Sequence, residues 1–326
     1  MYLFICTTIL HIRIVNKLLE KIDDPINAVV LFIGDTESPK VVHYLNTLIK
    51  PKCRCILYND QQIKVRKPFK TVRRSRLTKN IIQLLLPSVI FQQVYLACVE
   101  LPLAHHILSS IQFRQLVTFD DGLYNLCSSK RLEKVKNINL SKRLARSISG
   151  RKYHTDRVLK ESVKHYTIFN NLQNIIDNTE YIELAPTPSK KGNEQGTIGI
   201  LLGTVYSEIC TSDTAQQELV EQLNRLIRER RIGLYIPHPR DTTTELRDIK
   251  VITTNLSAED EIMTLIEDGY SIELYGFSST VQCILSSSNA VKSYSLQFSG
   301  MTEEYRQVEL ELSQYLFGFT SIDLSK

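Results

Sequence analysis

The sequence predicts an α/β chain of two domains facing each other across a ligand cleft. Strand-like and helix-like patterns alternate in both halves, the signature of α/β layers. A segment at 183–196 carries two prolines, two glycines and almost no apolar residue, so it reads as a linker. The length of 326 residues exceeds what one core holds, since single cores stop growing near roughly 250–300 residues. The division is therefore a first domain at 1–185, a linker at 186–195 and a second domain at 196–326.

In the first half, strands are expected at 2–7, 28–33, 54–58, 94–99 and 115–119. The opening apolar stretch has no basic residues before it and no small-residue cleavage site after it, so it is a buried strand and not a leader. The longest apolar tract, 81–108, is broken by Pro87 and Pro102 and carries Gln83, Gln92, Gln93, Glu100, His105 and His106. A membrane-crossing helix needs about 20 clean apolar residues, so this tract belongs to a core.

In the second half, a strand at 197–202 precedes a helix at 214–230 whose Ala215, Leu219, Leu223, Leu226 and Ile227 share one face. Asp213 with Gln216 reads as its capping box. Strands follow at 233–236 and 251–254, and Ser257 to Asp260 opens a helix as another capping box. A strand at 271–275, a helix starting at 279–285, a strand at 291–295 and a final helix at 302–317 complete the pattern.

Hydrophobic residues make up 43% and charged residues 23%, which excludes a disordered chain. Twelve Gly and ten Pro exclude collagen-like and low-complexity classes. The seven cysteines form no CxxC pair, which argues against a disulfide framework or a zinc site and for a reducing compartment. Cys53 and Cys55 share a side if their segment is a strand, and core packing explains them better than redox chemistry.

The charge is split. Residues 1–196 carry 30 Lys/Arg against 16 Asp/Glu, whereas 197–326 carry 10 against 19. Eight cations and no acid fall between Lys64 and Lys79; nine cations and only Glu133 fall between Lys130 and Lys152. Nucleic acid would call for interleaved aromatics. Phe69 is the one aromatic in the first run and the second has none before Arg151, so the expected partner is an anionic membrane surface or glycolipid headgroup and not nucleic acid.

A cleft between two α/β domains binds ligand at the carboxyl ends of strands. That rule selects three motifs. Phe119-Asp120-Asp121-Gly122 offers paired carboxylates, candidates for a general base, or else an ordinary Asp-Gly turn. Pro237-His238-Pro239-Arg240 clamps one imidazole between prolines and follows it with a guanidinium suited to phosphate or carboxylate. Tyr275-Gly276-Phe277-Ser278-Ser279-Thr280 sets three hydroxyls at a helix start, an anion site or simple N-capping. Gly203, before Thr204, would let a nucleotide approach the backbone. No P-loop, GxGxxG, HExxH or GxSxG is present.

With Ile5-Cys-Thr-Thr8, Phe119-Asp-Asp-Gly122, Leu202-Gly-Thr204, Ile236-Pro-His-Pro-Arg240 and Tyr275-Gly-Phe-Ser-Ser-Thr280 in this order, the chain resembles bacterial sialyltransferases that cap lipooligosaccharide and some capsules. The resemblance implies a GT-B-like pair of Rossmann-type domains. It also implies metal-independent, inverting transfer of sialic acid from CMP-sialic acid to a terminal galactose, in a 2,3 linkage. His238 is then the acid or hydrogen-bond donor to the departing phosphate, helped by Ser278 and Ser279. Gly203, Thr204, Arg240, Tyr275, Gly276 and Thr280 complete donor binding. The base is Asp120 or Asp121 by comparison with related families, or Asp213, with Glu208 behind it, in this one. The enzyme is expected to be cytoplasmic and peripheral to the inner membrane face, and to be a homodimer if its amphipathic helices pair. Two alternatives stay open: a same-fold enzyme using another nucleotide sugar, such as a glucosyl donor, and a non-catalytic lipopolysaccharide- or nucleic-acid-binding protein.

Overall fold

The computed structural model describes residues 1–22, 27–49, 53–59, 78, 80–85, 89–126, 152–184, 195–241, 245–312 and 317–325. The chain divides into two compact units, Met1–Leu184 and Ala185–Lys326. Most of the linker segment, and the basic runs from Lys64 and from Lys130 except for Lys152 at the end of the second, lie outside the described residues.

Among the described residues the first unit holds seven parallel strands in the order β3-β2-β1-β4-β5-β6-β7. They are β1 Tyr2–Cys6, β2 Ala28–Gly34, β3 Arg54–Asn59, β4 Ile90–Leu96, β5 Gln112–Phe119, β6 Ser162–Thr167 and β7 Thr179–Tyr181. Six successive residues of β2, Ala28 to Ile33, are buried, as a parallel strand covered on both faces requires. Large aliphatic side chains so enclosed contribute about 1.5–3 kcal/mol each. Helices α1 (Ile9–Glu20), α2 (Pro39–Ile49), α3 (Pro102–Leu108) and α4 (Thr155–Glu161) follow or link the strands. Thr8 caps α1, its hydroxyl accepting from the His11 amide.

The chain builds outward from β1 to β3, then returns to set β4 on the other side of β1. Strand order therefore reverses between β1 and β4, and a crevice opens beyond the carboxyl ends of those strands.

Among the described residues the second unit holds six parallel strands in the order β10-β9-β8-β11-β12-β13. They are β8 Gly196–Leu202, β9 Leu234–Ile236, β10 Lys250–Val251, β11 Tyr270–Gly276, β12 Val291–Gln297 and β13 Thr320–Asp323. Its helices are α5 (Tyr206–Ile209), α6 (Asp213–Arg230), α7 (Ala258–Glu267), α8 (Thr280–Leu285) and α9 (Glu303–Leu310). One sheet face buries Tyr206, Leu219, Leu223 and Ile227 of α5 and α6. The other buries Ile262, Ile266 and Leu285 of α7 and α8. Order reverses here between β8 and β11.

Several sequence expectations need correction. Strands β6, β7 and β13 were absent from them; the last helix is described over Glu303–Leu310, and residues 313–316 of its expected span lie outside the described residues. The cap of α6 is Ser212, whose hydroxyl accepts from the Ala215 amide, so Asp213 is the first helical residue and not the cap. Ser257 does cap α7 through the Asp260 amide. The six described cysteines carry free thiols. Among the described residues no helix is long and apolar enough to cross a membrane.

Candidate functional site

In the first unit, three adjacent strands deliver three groups to one place. Thr7 follows β1, Cys98 follows β4 and Asp121 follows β5. The Thr7 amide donates to His11 Nδ1 at 3.0 Å, so that nitrogen must accept and the ring proton sits on Nε2. Nε2–H then donates to Asp121 Oδ1 at 2.8 Å. The Cys98 thiol also bonds Asp121 and is pushed up to about 12 by burial and then by that carboxylate's charge. Gly122 has φ 64°, the left-handed backbone that favours glycine, which explains the third letter of the Asp-Asp-Gly motif.

Asp120 is a different object. It is wholly enclosed, and both oxygens are occupied. Oδ1 accepts from His165 Nε2 at 2.8 Å and Asn174 Nδ2 at 3.0 Å. Oδ2 accepts from the Thr167 hydroxyl and the Ile168 amide, both at 2.7 Å. A carboxylate so saturated ties the β5 end to β6 and the following loop; no substrate hydroxyl reaches it without dismantling that knot.

In the second unit, β9, β8 and β11 lie side by side, and their carboxyl ends bring His238, Gly203 and Ser278 to one rim. The strands that carry His238 and Ser278, β9 and β11, are two strand spacings apart, about 10 Å, with β8 between them. A Cβ on Gly203 would meet the Tyr235 hydroxyl at 2.6 Å and the His238 amide nitrogen at 2.7 Å, so glycine is needed because the β9 turn crosses it. The Arg240 amide donates to His238 Nδ1 at 3.1 Å, leaving Nε2 to carry the proton. Burial, then the Arg240 charge, holds His238 below the ordinary imidazole value, with Glu208 and Asp241 opposing. The ring is thus neutral at pH 7 and presents an N–H donor.

Arg240 forks onto Glu208 at 2.6 and 3.0 Å, both side chains more than half exposed. An exposed pair is worth about 0–1 kcal/mol, so an anionic ligand could exchange for Glu208 at little cost. Asp213 is exposed, and its side chain makes no hydrogen bond or ion pair among the described residues. Two residues before it, Thr211 bonds the Gly300 carbonyl just beyond β12, which sets the first turn of α6 at the strand-end edge.

The remaining motif residues divide. Tyr275 is fully buried, stacked on Tyr294 at 4.7 Å with its hydroxyl on Glu273, and serves the core. A Cβ on Gly276 would strike Gln282 Oε1 at 2.8 Å; the same side chain closes the capping box with Ser279. Ser278 stands at φ 43°, and its hydroxyl donates to Glu309 Oε1 at 2.6 Å. Thr280, half-buried, is the first residue of α8.

Sequence reasoning missed His11, Cys98, Tyr305 and Glu309. The last two lie four apart on α9 and reach the switch point together. Tyr305 bonds Thr204 and the Phe277 carbonyl, while Glu309 bonds Ser278 and Ser295.

The profile of glycosyltransferase family 52 matches residues 27–299, which include Cys98, Asp120, Asp121, Gly203, His238 and Ser278 but not His11 or Glu309. The chain belongs to glycosyltransferase family 52. It is 26% identical over 311 residues to the CMP-N-acetylneuraminate:beta-galactoside alpha-2,3-sialyltransferase of Pasteurella multocida, covering 94% of each chain. It is also 26% identical to the N-acetyllactosaminide alpha-2,3-sialyltransferase of Neisseria meningitidis, over 93% of this chain and 80% of that one. The enzyme of the same title from Haemophilus influenzae is 24% identical, over 89% and 90%. Among solved structures, MurG of Acinetobacter baumannii is similar at a TM-score of 0.46 and 9% identity, over 99% of this chain and 86% of that one, too distant a likeness to bear on function. Both family 52 strand-end clusters sit where an α/β sheet binds ligands.

Proposed function

We propose that this family 52 chain is a sialyltransferase that moves sialic acid from CMP-sialic acid to a terminal galactose, with inversion and in a 2,3 linkage. The observation that carries the reading is the neutral His238 imidazole, its proton on Nε2 and its backbone packed against Gly203 at the end of β8 in the second unit. The names of the three relatives support the choice of donor.

In this reading the CMP phosphate lies between His238 and Ser278. The acceptor hydroxyl attacks the anomeric carbon as the bond from that carbon to the phosphate oxygen breaks. His238 Nε2–H, with Thr204 and Thr280 near the same rim, meets the charge growing on the phosphate. Arg240 leaves Glu208 to hold the sialyl carboxylate or the phosphate. Asp213 takes the acceptor proton, because it is exposed, its side chain is unpaired among the described residues, and it begins α6 where Thr211 bonds the Gly300 carbonyl beyond β12. Asp120 holds the first unit's site in shape, and Asp121, fixed by His11, presents a half-buried carboxylate to the acceptor sugar's hydroxyls. Charge stabilisation by these donors calls for no metal.

The acceptor fits a lipooligosaccharide or capsule precursor. The cation runs from Lys64 and from Lys130 would hold the enzyme to the anionic inner face of the bacterial membrane, each nearby cation worth about 1 kcal/mol. Incubation with a β-galactoside and either CMP-sialic acid or UDP- and GDP-sugars tests the reading. Release of CMP with a sialylated product supports it; turnover of UDP-glucose alone would replace it with the glucosyl alternative.

A further inference from the structure

Glu309 is the one glutamate of α9 that turns inward. It is 1% exposed, and no charged group is among the causes that shift its titration. Its Oε1 takes two hydrogen bonds: from Ser278 at 2.6 Å, at the end of β11, and from Ser295 at 2.5 Å, in β12. Gln297 Nε2 donates to Ser295 at 3.0 Å, so the serine's own proton is the one that points at Glu309. An enclosed carboxylate held by two neutral hydroxyls is costly to keep charged.

This arrangement has a consequence for Ser278. While Glu309 is ionised, the Ser278 proton is committed to it, and the hydroxyl offers an approaching anion only lone pairs. Once Glu309 takes up a proton, the carboxyl becomes a donor, and the Ser278 O–H is released to turn outward. Ser278 is held in place by this bond at φ 43°, a left-handed backbone that a non-glycine residue adopts only under strain.

We propose that Glu309 is a positioning residue that couples proton uptake to binding of the donor's phosphate, by switching Ser278 from a donor to its carboxylate into a donor to the phosphate. The inference rests on the reading of the second unit as the CMP site. Burial pushes Glu309 up to about 7, with the two serine bonds pulling the other way, so the switch lies in the physiological range. Tyr305, one turn earlier on α9, is held well above the ordinary phenol value by burial and by the Glu309 charge, so it stays neutral. Glu208 is the other carboxylate felt at Tyr305, and it is paired with Arg240. From β8 the neighbour is the Thr204 hydroxyl, from β11 the Phe277 carbonyl; neither titrates.

Calorimetric titration of the full chain with CMP, between pH 6 and 8.5 and in buffers of different ionisation enthalpy, tests this. The phosphate's own ionisation and that of His238 are common to all variants and cancel in the comparison. Wild type should take up protons on binding near pH 7.5, and its affinity should weaken by up to about tenfold per pH unit above 7 relative to Glu309→Gln. Glu309→Gln, a neutral isostere, should match wild type at pH 6 and bind more tightly than wild type at pH 8, with the extra proton uptake gone. Ser278→Ala, which keeps Glu309, should lose the same pH dependence and carries the test if the glutamine variant does not fold. Identical proton uptake and pH profiles in wild type and variants overturn this inference alone. Failure of wild type to bind CMP at any pH overturns the functional reading and this inference with it.

Discussion

The buried His11 imidazole lies 2.8 Å from the Asp121 carboxylate, the ring fully enclosed and the carboxylate 23% exposed. One partner is fixed by the Thr7 amide, so the other is held in place without being shut away from solvent. Asp121→Ala would leave the Nε2–H of His11 buried and unpaired. A loss of about 1–3 kcal/mol in denaturant unfolding is expected, with a raised KM for the acceptor and a KM for the donor near that of wild type.

Asp120→Asn should be the more damaging of the adjacent pair. An amide nitrogen would face two of the four donors that Asp120 now satisfies, and a cost of about 3–5 kcal/mol is expected. Thermal unfolding checks it: equal losses at 120 and 121 would deny Asp120 its scaffold role.

These two roles show where the sequence stopped being legible. The Asp-Asp-Gly motif could be found from its letters, but the partners that separate its members lie 45 to 54 residues downstream for Asp120 and 110 upstream for Asp121. The fold was more open to reading. An unbroken apolar run like β2 or a one-faced stripe like that of α6 carries its own period. Strand β6, with Lys164 and His165 in its middle, β7 at three residues, and β13, Thr-Ser-Ile-Asp, have too few apolar positions to show one. His238 was legible because two prolines flank it. Glu309 was not, since a glutamate in a helix that also bears Glu303 and Glu304 reads as part of a solvated face.

Glu309 also makes stability depend on pH. Its folded-state value of about 7 stands above the ordinary 4.5, so between these the unfolded chain holds fewer protons than the folded one. The group's contribution is fully present below about pH 4.5 and is lost as pH rises through about 7. Glu309→Gln should therefore match wild type near pH 4.5 and exceed it at pH 8 by about 1–3 kcal/mol, read from denaturant midpoints at the two pH values.

Asp213→Asn should lower the transfer rate by roughly 10²-fold or more while leaving CMP binding within about twofold, as loss of a general base requires. Retained activity in that variant would move the base to Asp121. Addition of a chelator should leave transfer unchanged, since no step assigned here passes through a metal.

Single-turnover release of CMP from CMP-sialic acid, compared between wild type and His238→Ala, bears most directly on the second unit's role. The account predicts a fall of roughly 10²-fold or more in the rate with a KM for donor changed only modestly. An unchanged rate of CMP release in the alanine variant would contradict it.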